Sequence, residues 1–215
     1  EKTIVGFLNY KSEFDDMRLL MRMRAADALG RMRSQEGVKP LAALLDEPEG
    51  NARNEYVWSL VRIGGKDAVP RLVETATKGM WGGREASIRG VAMLGDDPSV
   101  FQKFADADQK LYEAECKEYD GNEGCNDVPG SLKKHQEKIA AYKARAEAAA
   151  ECKADMACWA KKLDGKDEGV RERAAYELGR SGNAGSIDEL MKRLTDTNLD
   201  TRLAIIQGAD WLIDD

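Results

Sequence analysis

Apolar residues recur along this chain at intervals of three and four, as in Leu41, Leu44 and Leu45 or in Ile187, Leu190, Met191 and Leu194. That spacing puts them on one face of an α-helix and predicts amphipathic helices. The pattern itself repeats. Arg22, Arg53 and Arg84 are evenly spaced, and the same interval separates Arg171 from Arg202. Seven positions after these arginines come Leu29, Leu60, Val91, Leu178 and Ala209, and sixteen positions after come Val38, Val69, Val100 and Ile187. A period of about 31 residues marks a repeat architecture, in which each unit buries its apolar face against its neighbours. Two apolar runs per period make each unit a pair of helices. Gly64, Gly95 and Gly182 fall between the two halves, where a chain leaving a helix needs a residue that tolerates positive φ. Asp67, Ser99 and Ser186 precede the second helices and are expected to cap them.

The register breaks once. The interval from Arg84 to Arg171 exceeds two periods by about 25 residues, so an insertion is expected between the third and fourth repeats, over residues 106–130. Extending the period backwards from Arg171 puts Met156, Trp159 and Leu163 in the slots of Ile187, Leu190 and Leu194. Residues 131–152 then form the first helix of that fourth repeat. Both ends fall out of phase as well. Phe7, Tyr10 and Phe14 lie one period before Val38, Leu41 and Leu45, as if the chain opened on the second helix of an earlier unit. The closing residues, 201–215, supply a first helix without its partner and carry Ile206, Trp211 and Ile213 on an apolar face. The whole chain, 1–215, thus reads as a single repeat array that starts and ends within a repeat, a fragment of a longer one.

Val170, Arg171, Ala174, Ala175, Leu178 and Gly179, followed by Ile187, Leu190 and Leu194, resemble the HEAT-like repeats of the short kind first named from phycobilin lyases. The resemblance covers most of the chain outside the insertion. It implies an all-α fold, a right-handed α-solenoid of stacked antiparallel helix pairs whose second helices line the concave side. The residues that carry it build the helix pair and its stacking, so they speak for fold and not for activity. Departures are visible. Trp58 and Arg89 stand where the fifth unit has Tyr176, and the fourth unit has no clear arginine near position 140.

Charge and composition then narrow the function. A net charge of −6 and a pI near 5.1, with acids and bases interleaved, argue against nucleic acid as a partner. No apolar run approaches the roughly 18–20 residues of a membrane span, and no charged-then-apolar leader precedes Glu1, so a soluble chain is expected. One histidine, His135, is too few for a His-rich metal centre, and the four cysteines form neither CxxC pairs nor CxxCH; no metal or cofactor is expected. His135 sits on a helix rich in Lys and Glu, where solvation is the default. The acidic turn holding Asp120, Asn122, Glu123, Asn126 and Asp127 has oxygen ligands but not the EF-hand spacing, and reads as a plain turn.

The spaced arginines are expected to make salt bridges between repeats, each with an acid upstream: Asp46 and Glu49 before Arg53, Asp164 and Asp167 before Arg171. Trp58 and Tyr176 share a repeat position with Asp27, Arg89 and Gln207, so that position is expected to face solvent, and an exposed aromatic there can anchor a partner. Trp81, in a glycine-rich stretch read as an inter-repeat loop, joins them as a candidate. Trp159 occupies a core slot.

Cys152 and Cys158 are six positions apart, about 9 Å along a continuous helix and beyond the roughly 7 Å Cα separation a disulfide permits. The register puts a turn between them, with Asp155 as cap, so they suit a staple between two helices. Cys116 and Cys125 flank a glycine-rich turn and suit a second local bond, although three connectivities are possible. Two such bonds would place the protein in an oxidising compartment, the periplasm or cell surface of a bacterium; free thiols would place it in the cytoplasm and leave Cys158, near a helix N-terminus, as a reactive group.

No acid–base or nucleophile constellation is apparent. The expected function is a non-enzymatic scaffold binding another protein or subunit in an extracytoplasmic assembly. Two rivals come with the resemblance: a tetrapyrrole lyase or chaperone, and a nucleic-acid reader of the HEAT-like glycosylase type, which needs a basic groove the second helices here lack. The HEAT-like deoxyhypusine hydroxylases need His–Glu pairs, which one histidine does not supply.

Overall fold

The computed structural model describes residues 1–47, 50–78, 81–118 and 124–213, excepting the side chains of 81–83, 115, 117–118 and 124–131. Among these residues every regular element is helical: α1 (Lys2–Phe7), α2 (Asp15–Arg31), α3 (Val38–Ala43), α4 (Gly50–Ile63), α5 (Val69–Lys78), α6 (Trp81–Leu94), α7 (Val100–Glu118), α8 (Gly124–Cys152), α9 (Met156–Lys162), α10 (Glu168–Arg180), α11 (Ser186–Met191) and α12 (Leu199–Ile213). Val38, Val69 and Val100, each one period from the next, open α3, α5 and α7. The second helices therefore begin where the period puts them. Residues 106–130, where an insertion is expected, fall mostly on α7 and α8, at 19 and 29 residues the longest described helices, and on 119–123, outside the described residues.

The chain divides into two compact units, Glu1–Gly95 with Ser99–Tyr142, and Asp96–Pro98 with Lys143–Asp215. Each is built of α-solenoid-type helix pairs. In the first, α4 packs on α2 and α6 on α4, while α3 and α5 pack behind the first helix that follows them. In the second, α12 packs on α10, with α9 against α10 and α11 against α12. First helices thus stack on first helices, so the positions facing a neighbour must be small or apolar. Gly179 and Gly208 show how close the stack is. A Cβ on Gly179 would lie 2.3 Å from the Gly208 Cα.

The turns between paired helices follow backbone physics more than residue type. Gly64 and Gly182 take positive φ, 75° and 66°, as expected. Arg33, at the repeat position of Gly64, takes φ 49° although an L side chain disfavours it, so packing imposes the turn. Gly95 does not take positive φ; its N–H closes on the Val91 carbonyl at 2.8 Å instead. Asp155 caps α9 as expected, accepting from Ala157 N and Cys158 N. Asp67 and Ser186 do not cap: the first lies inside a 3₁₀ turn (Lys66–Ala68) and the second is the first residue of α11.

The ends differ from expectation. α1 stops at Phe7, where the register expected a helix to start, and Phe14 sits exposed ahead of α2. Leu8 is the residue buried there. At the other end Trp211 is buried rather than displayed, its ring 5.8 Å from that of Tyr176, while Ile206 and Ile213 remain exposed.

Candidate functional site

The signature arginines are structural. Arg22 donates to Glu47 Oε2 at 3.1 Å, and Arg53 donates to the backbone carbonyl of the same Glu47 at 2.7 Å. Arg171 grips both carboxylate oxygens of Asp196, at 2.7 and 3.0 Å, while Arg202 donates to the Asp196 carbonyl at 2.6 Å. One acidic residue thus joins two consecutive arginines, by side chain to the earlier and by backbone to the later. The Arg171 hydrogen bonds hold the Asp196 carboxyl below its ordinary range. The stitching acid is the one downstream, which corrects the upstream expectation: Asp46 pairs with Arg71, Asp164 with Arg193, and Asp167 caps α10. Glu49 lies outside the described residues.

In the third unit the arginine goes deeper. Arg84 is buried and meets the equally buried Asp108 at 2.5 Å, while also donating to the carbonyls of Ala76 and Phe104. Burial raises the Asp108 carboxyl above its ordinary value, and Arg84 and His135 pull it back in part. His135 Nδ1 lies 3.7 Å from Asp108 Oδ2 with its side chain only partly exposed, so it is not the fully solvated side chain expected from its helix. In the fourth unit, which lacks an arginine in register, Arg145 pairs with buried Glu172 at 3.0 Å. Its guanidinium fills the space that any side chain at Gly169 would need.

With these side chains occupied in packing, one concavity stands out in the first unit. Where α4 passes α6, a cleft of about 310 Å³ is lined by Asn54, Trp58 and Val61 of α4, Glu85 and Arg89 of α6, and Tyr142 of α8. Gly90 permits the close approach, since a Cβ there would sit 2.8 Å from Val57. The Arg89 guanidinium lies over the Trp58 ring at 4.3 Å from its centroid, a cation–π contact that fixes the indole at the cleft. Glu85 is held from α8 by Lys138 at 2.9 Å, a hydrogen bond that raises the lysine's pKa. A half-buried indole, a phenol, an exposed amide and an ion pair make a surface suited to recognition. Among the described residues, neither serine, cysteine nor histidine lines it.

Of the three aromatics expected to anchor a partner, Trp58 lines this cleft. Tyr176 is buried, because α12 stacks over α10 and puts Trp211 on its ring; the shared repeat position is covered there, not solvent-facing. Trp81 is the first residue of α6, not part of a loop, and its side chain lies outside the described ones. Trp159 is buried as expected and donates its indole N–H to the Lys153 carbonyl at 3.0 Å. Arg89 was open to sequence reasoning as a partner, since it stands one period after Trp58 on the next first helix. Tyr142 was not, because the insertion removes the register that would have aligned it.

Cys152 and Cys158 are bonded to each other, with Cα atoms 5.3 Å apart across the turn that Asp155 caps. Cys116 is also disulfide-bonded; Cys125, its expected partner, lies outside the described side chains, as do the acidic-turn residues Asp120, Asn122, Glu123, Asn126 and Asp127. Among the described residues, one group of three metal-type ligands comes together: Glu151, Cys152 and Cys158, within 4.8 Å. Its two sulfurs are spent on each other and offer no thiolate. No described helix is long and apolar enough to cross a membrane.

Comparison with known proteins gives one family match and several similar solved structures. Residues 12–92 match the family model of HEAT repeats. No curated protein matches the chain. Among solved structures, the chain is similar to the complex of CpcE and CpcF of phycocyanin lyase from Nostoc sp. PCC7120, at 19% identity and a TM-score of 0.43, covering 98% of this chain and 94% of that one. It is similar to a designed armadillo repeat protein in complex with the peptide (KR)4, at 16% identity, TM-score 0.36 and 98% coverage of both chains. Human deoxyhypusine hydroxylase is similar at 13% identity and a TM-score of 0.34, over 100% of this chain and 90% of that one. The stacked helix pairs of residues 12–92, with their regular period, are similar to HEAT repeats.

Proposed function

We propose that this chain is a non-enzymatic scaffold that binds another protein, or holds subunits of an assembly together, through the cleft between α4 and α6. The observation that carries the reading is the Trp58–Arg89 stack at that cleft: an indole half-buried by its neighbours presents apolar area with little side-chain entropy left to lose. HEAT repeats supply such extended surfaces generally. The Cys152–Cys158 geometry supports an oxidising compartment, so the partner belongs with the chain outside the cytoplasm.

A photo-crosslinking amino acid at Asn54, an exposed residue on the cleft rim, tests this in the cells that make the protein. The expected result is a discrete crosslinked partner that disappears in the Trp58→Ala variant while the helical circular dichroism is unchanged. A crosslink that survives Trp58→Ala, or one obtained equally from exposed Lys110 on α7, removes the cleft from the binding surface. Mapping the cysteine peptides of the unreduced protein addresses the compartment separately. Blocked thiols at Cys152 and Cys158 in protein from its native compartment would point to the cytoplasm.

A further inference from the structure

The position of Ile206 on α12 has counterparts at the same point of the repeat in the other first helices that keep the register: Ala26, Val57, Ile88 and Ala175. All four are at most 4% exposed, whereas Ile206 is 54% exposed. Val57 and Ala175 are covered by the next first helix, at Gly90 and at Gly208. On α12, Leu199, Leu203 and Ile213 join Ile206 in an exposed stripe with successive spacings of four, three and seven, which is one face of the helix. That face is shaped for another first helix lying in the same stack.

We propose that its occupant is α2 of a second copy of this chain, giving a head-to-tail contact. The α2 face that would meet a preceding first helix is open: Leu20 is 47% exposed, and Arg24 and Arg31 are exposed along the same face, Arg31 donating to Asp27 at 3.0 Å. Ala28 on that face shares a repeat position with Ser59, Gly90 and Gly208, the small residues by which later first helices approach the one before. Charge complements shape. Arg31 stands at the repeat position of Arg62, whose side chain runs over Gly30 to reach Asp27 at 2.9 Å. Asp210 stands at the repeat position of Gly30 and is exposed. Stacking α2 of one copy on α12 of another as α4 stacks on α2 therefore lays Arg31 over Asp210 and Ala28 against Ile206. The contact continues an interface the chain already makes between its own repeats. It is heterologous, joining two different faces, so association stops growing only where the copies close into a ring.

The test is sedimentation of the whole chain, 1–215, over a range of concentrations, with Ile206→Glu and Leu20→Glu as variants of half-exposed residues that leave the fold intact by circular dichroism. The expected result is concentration-dependent association of the wild type, weakened at least tenfold by either change. Each variant retains one good face, so mixing the two should give a 1:1 dimer that grows no further. A wild type that stays monomeric overturns the proposal and leaves the α12 face for some other cover, such as a further repeat. Association abolished by Ile206→Glu but untouched by Leu20→Glu overturns it too, in favour of α12 pairing with itself.

Discussion

Replacing Gly179 with alanine probes the closest approach in the second unit. The new Cβ would lie 2.3 Å from the Gly208 Cα and 2.9 Å from its carbonyl oxygen, where ordinary contact begins at 3.4 Å. Both obstacles are backbone, so no side chain can rotate away, and α10 and α12 must part to make room. Parting them loosens Ile205, Ala209 and Trp211, all buried in this stack. Overpacking of this kind costs about 1–3 kcal/mol, and backbone against backbone belongs at or above the upper end. Alanine regains up to about 1 kcal/mol of helix propensity over glycine, so the net loss is about 2 kcal/mol. Gly208→Ala meets the Ala175 carbonyl at 2.8 Å but Gly179 only at 3.3 Å, and should lose less. Gly6→Ala on α1 meets nothing within 4 Å and should be neutral or slightly stabilising. Urea unfolding followed by tryptophan fluorescence, with Trp159 and Trp211 as buried reporters in this unit, reads the series directly. At slopes of about 1–3 kcal/mol per molar urea, the Gly179→Ala midpoint should fall by about 1 M. A Gly179→Ala midpoint at or above that of Gly6→Ala would refute the close stacking of α10 on α12.

Two further changes test buried polar groups in the first unit. Arg84→Met removes the cation facing Asp108 and should cost about 3–5 kcal/mol at pH 7. Because burial sets the Asp108 folded pKa above its unfolded value, the folded state binds that proton more tightly. The associated stability is present below the unfolded pKa and is lost as pH rises through the folded one. The variant's deficit should therefore shrink on acidification from pH 7 to pH 4, and an equal deficit at both, by urea midpoint, would mean that Asp108 is not the group responsible. Tyr56 is buried, its hydroxyl finds no hydrogen-bond partner among the described residues, and burial pushes its pKa up to about 12. Tyr56→Phe should be neutral or stabilising by up to about 1 kcal/mol, and should remove the stability that the wild type loses between about pH 10 and 12; a loss above about 1 kcal/mol at pH 7 would show that the hydroxyl is satisfied.

What the sequence made legible was whatever the period repeats. Val38, Val69 and Val100 mark helix starts because each must dock the same way on its neighbour, and Trp159 in the slot of Leu190 is buried as Leu190 is. The arginines were legible as structural, but their partners were not, since an acid far downstream and one just upstream look alike without knowledge of which turn folds back. Tyr176 was misplaced for a related reason. Its position carries Asp27, Trp58, Arg89 and Gln207 elsewhere, and that polarity reads as solvent exposure although α12 covers it here. Ends and insertions lose the neighbours that give a periodic position its meaning, which is why α1, Phe14 and Tyr142 fell outside the reading.

That same variable position explains why a cleft arises in this part of the stack. Positions such as Val57 and Ala175 must stay small or apolar because a neighbouring first helix lies on them. The next position along the helix, held by Asp27, Trp58, Arg89, Tyr176 and Gln207, lies at the edge of that contact and is free to vary. In the first unit two of its occupants, Trp58 and Arg89, come from consecutive repeats and meet across the groove at 4.3 Å. The repeat thereby places side chains far apart in sequence side by side, with no loop to position them. In the second unit the equivalent Tyr176 packs instead against the ring of Trp211. On the proposed binding role, recognition at the cleft depends on what the next repeat offers at one position, and exchanging Arg89 for the glutamine found at 207 should release the Trp58 ring and weaken partner capture without unfolding the stack.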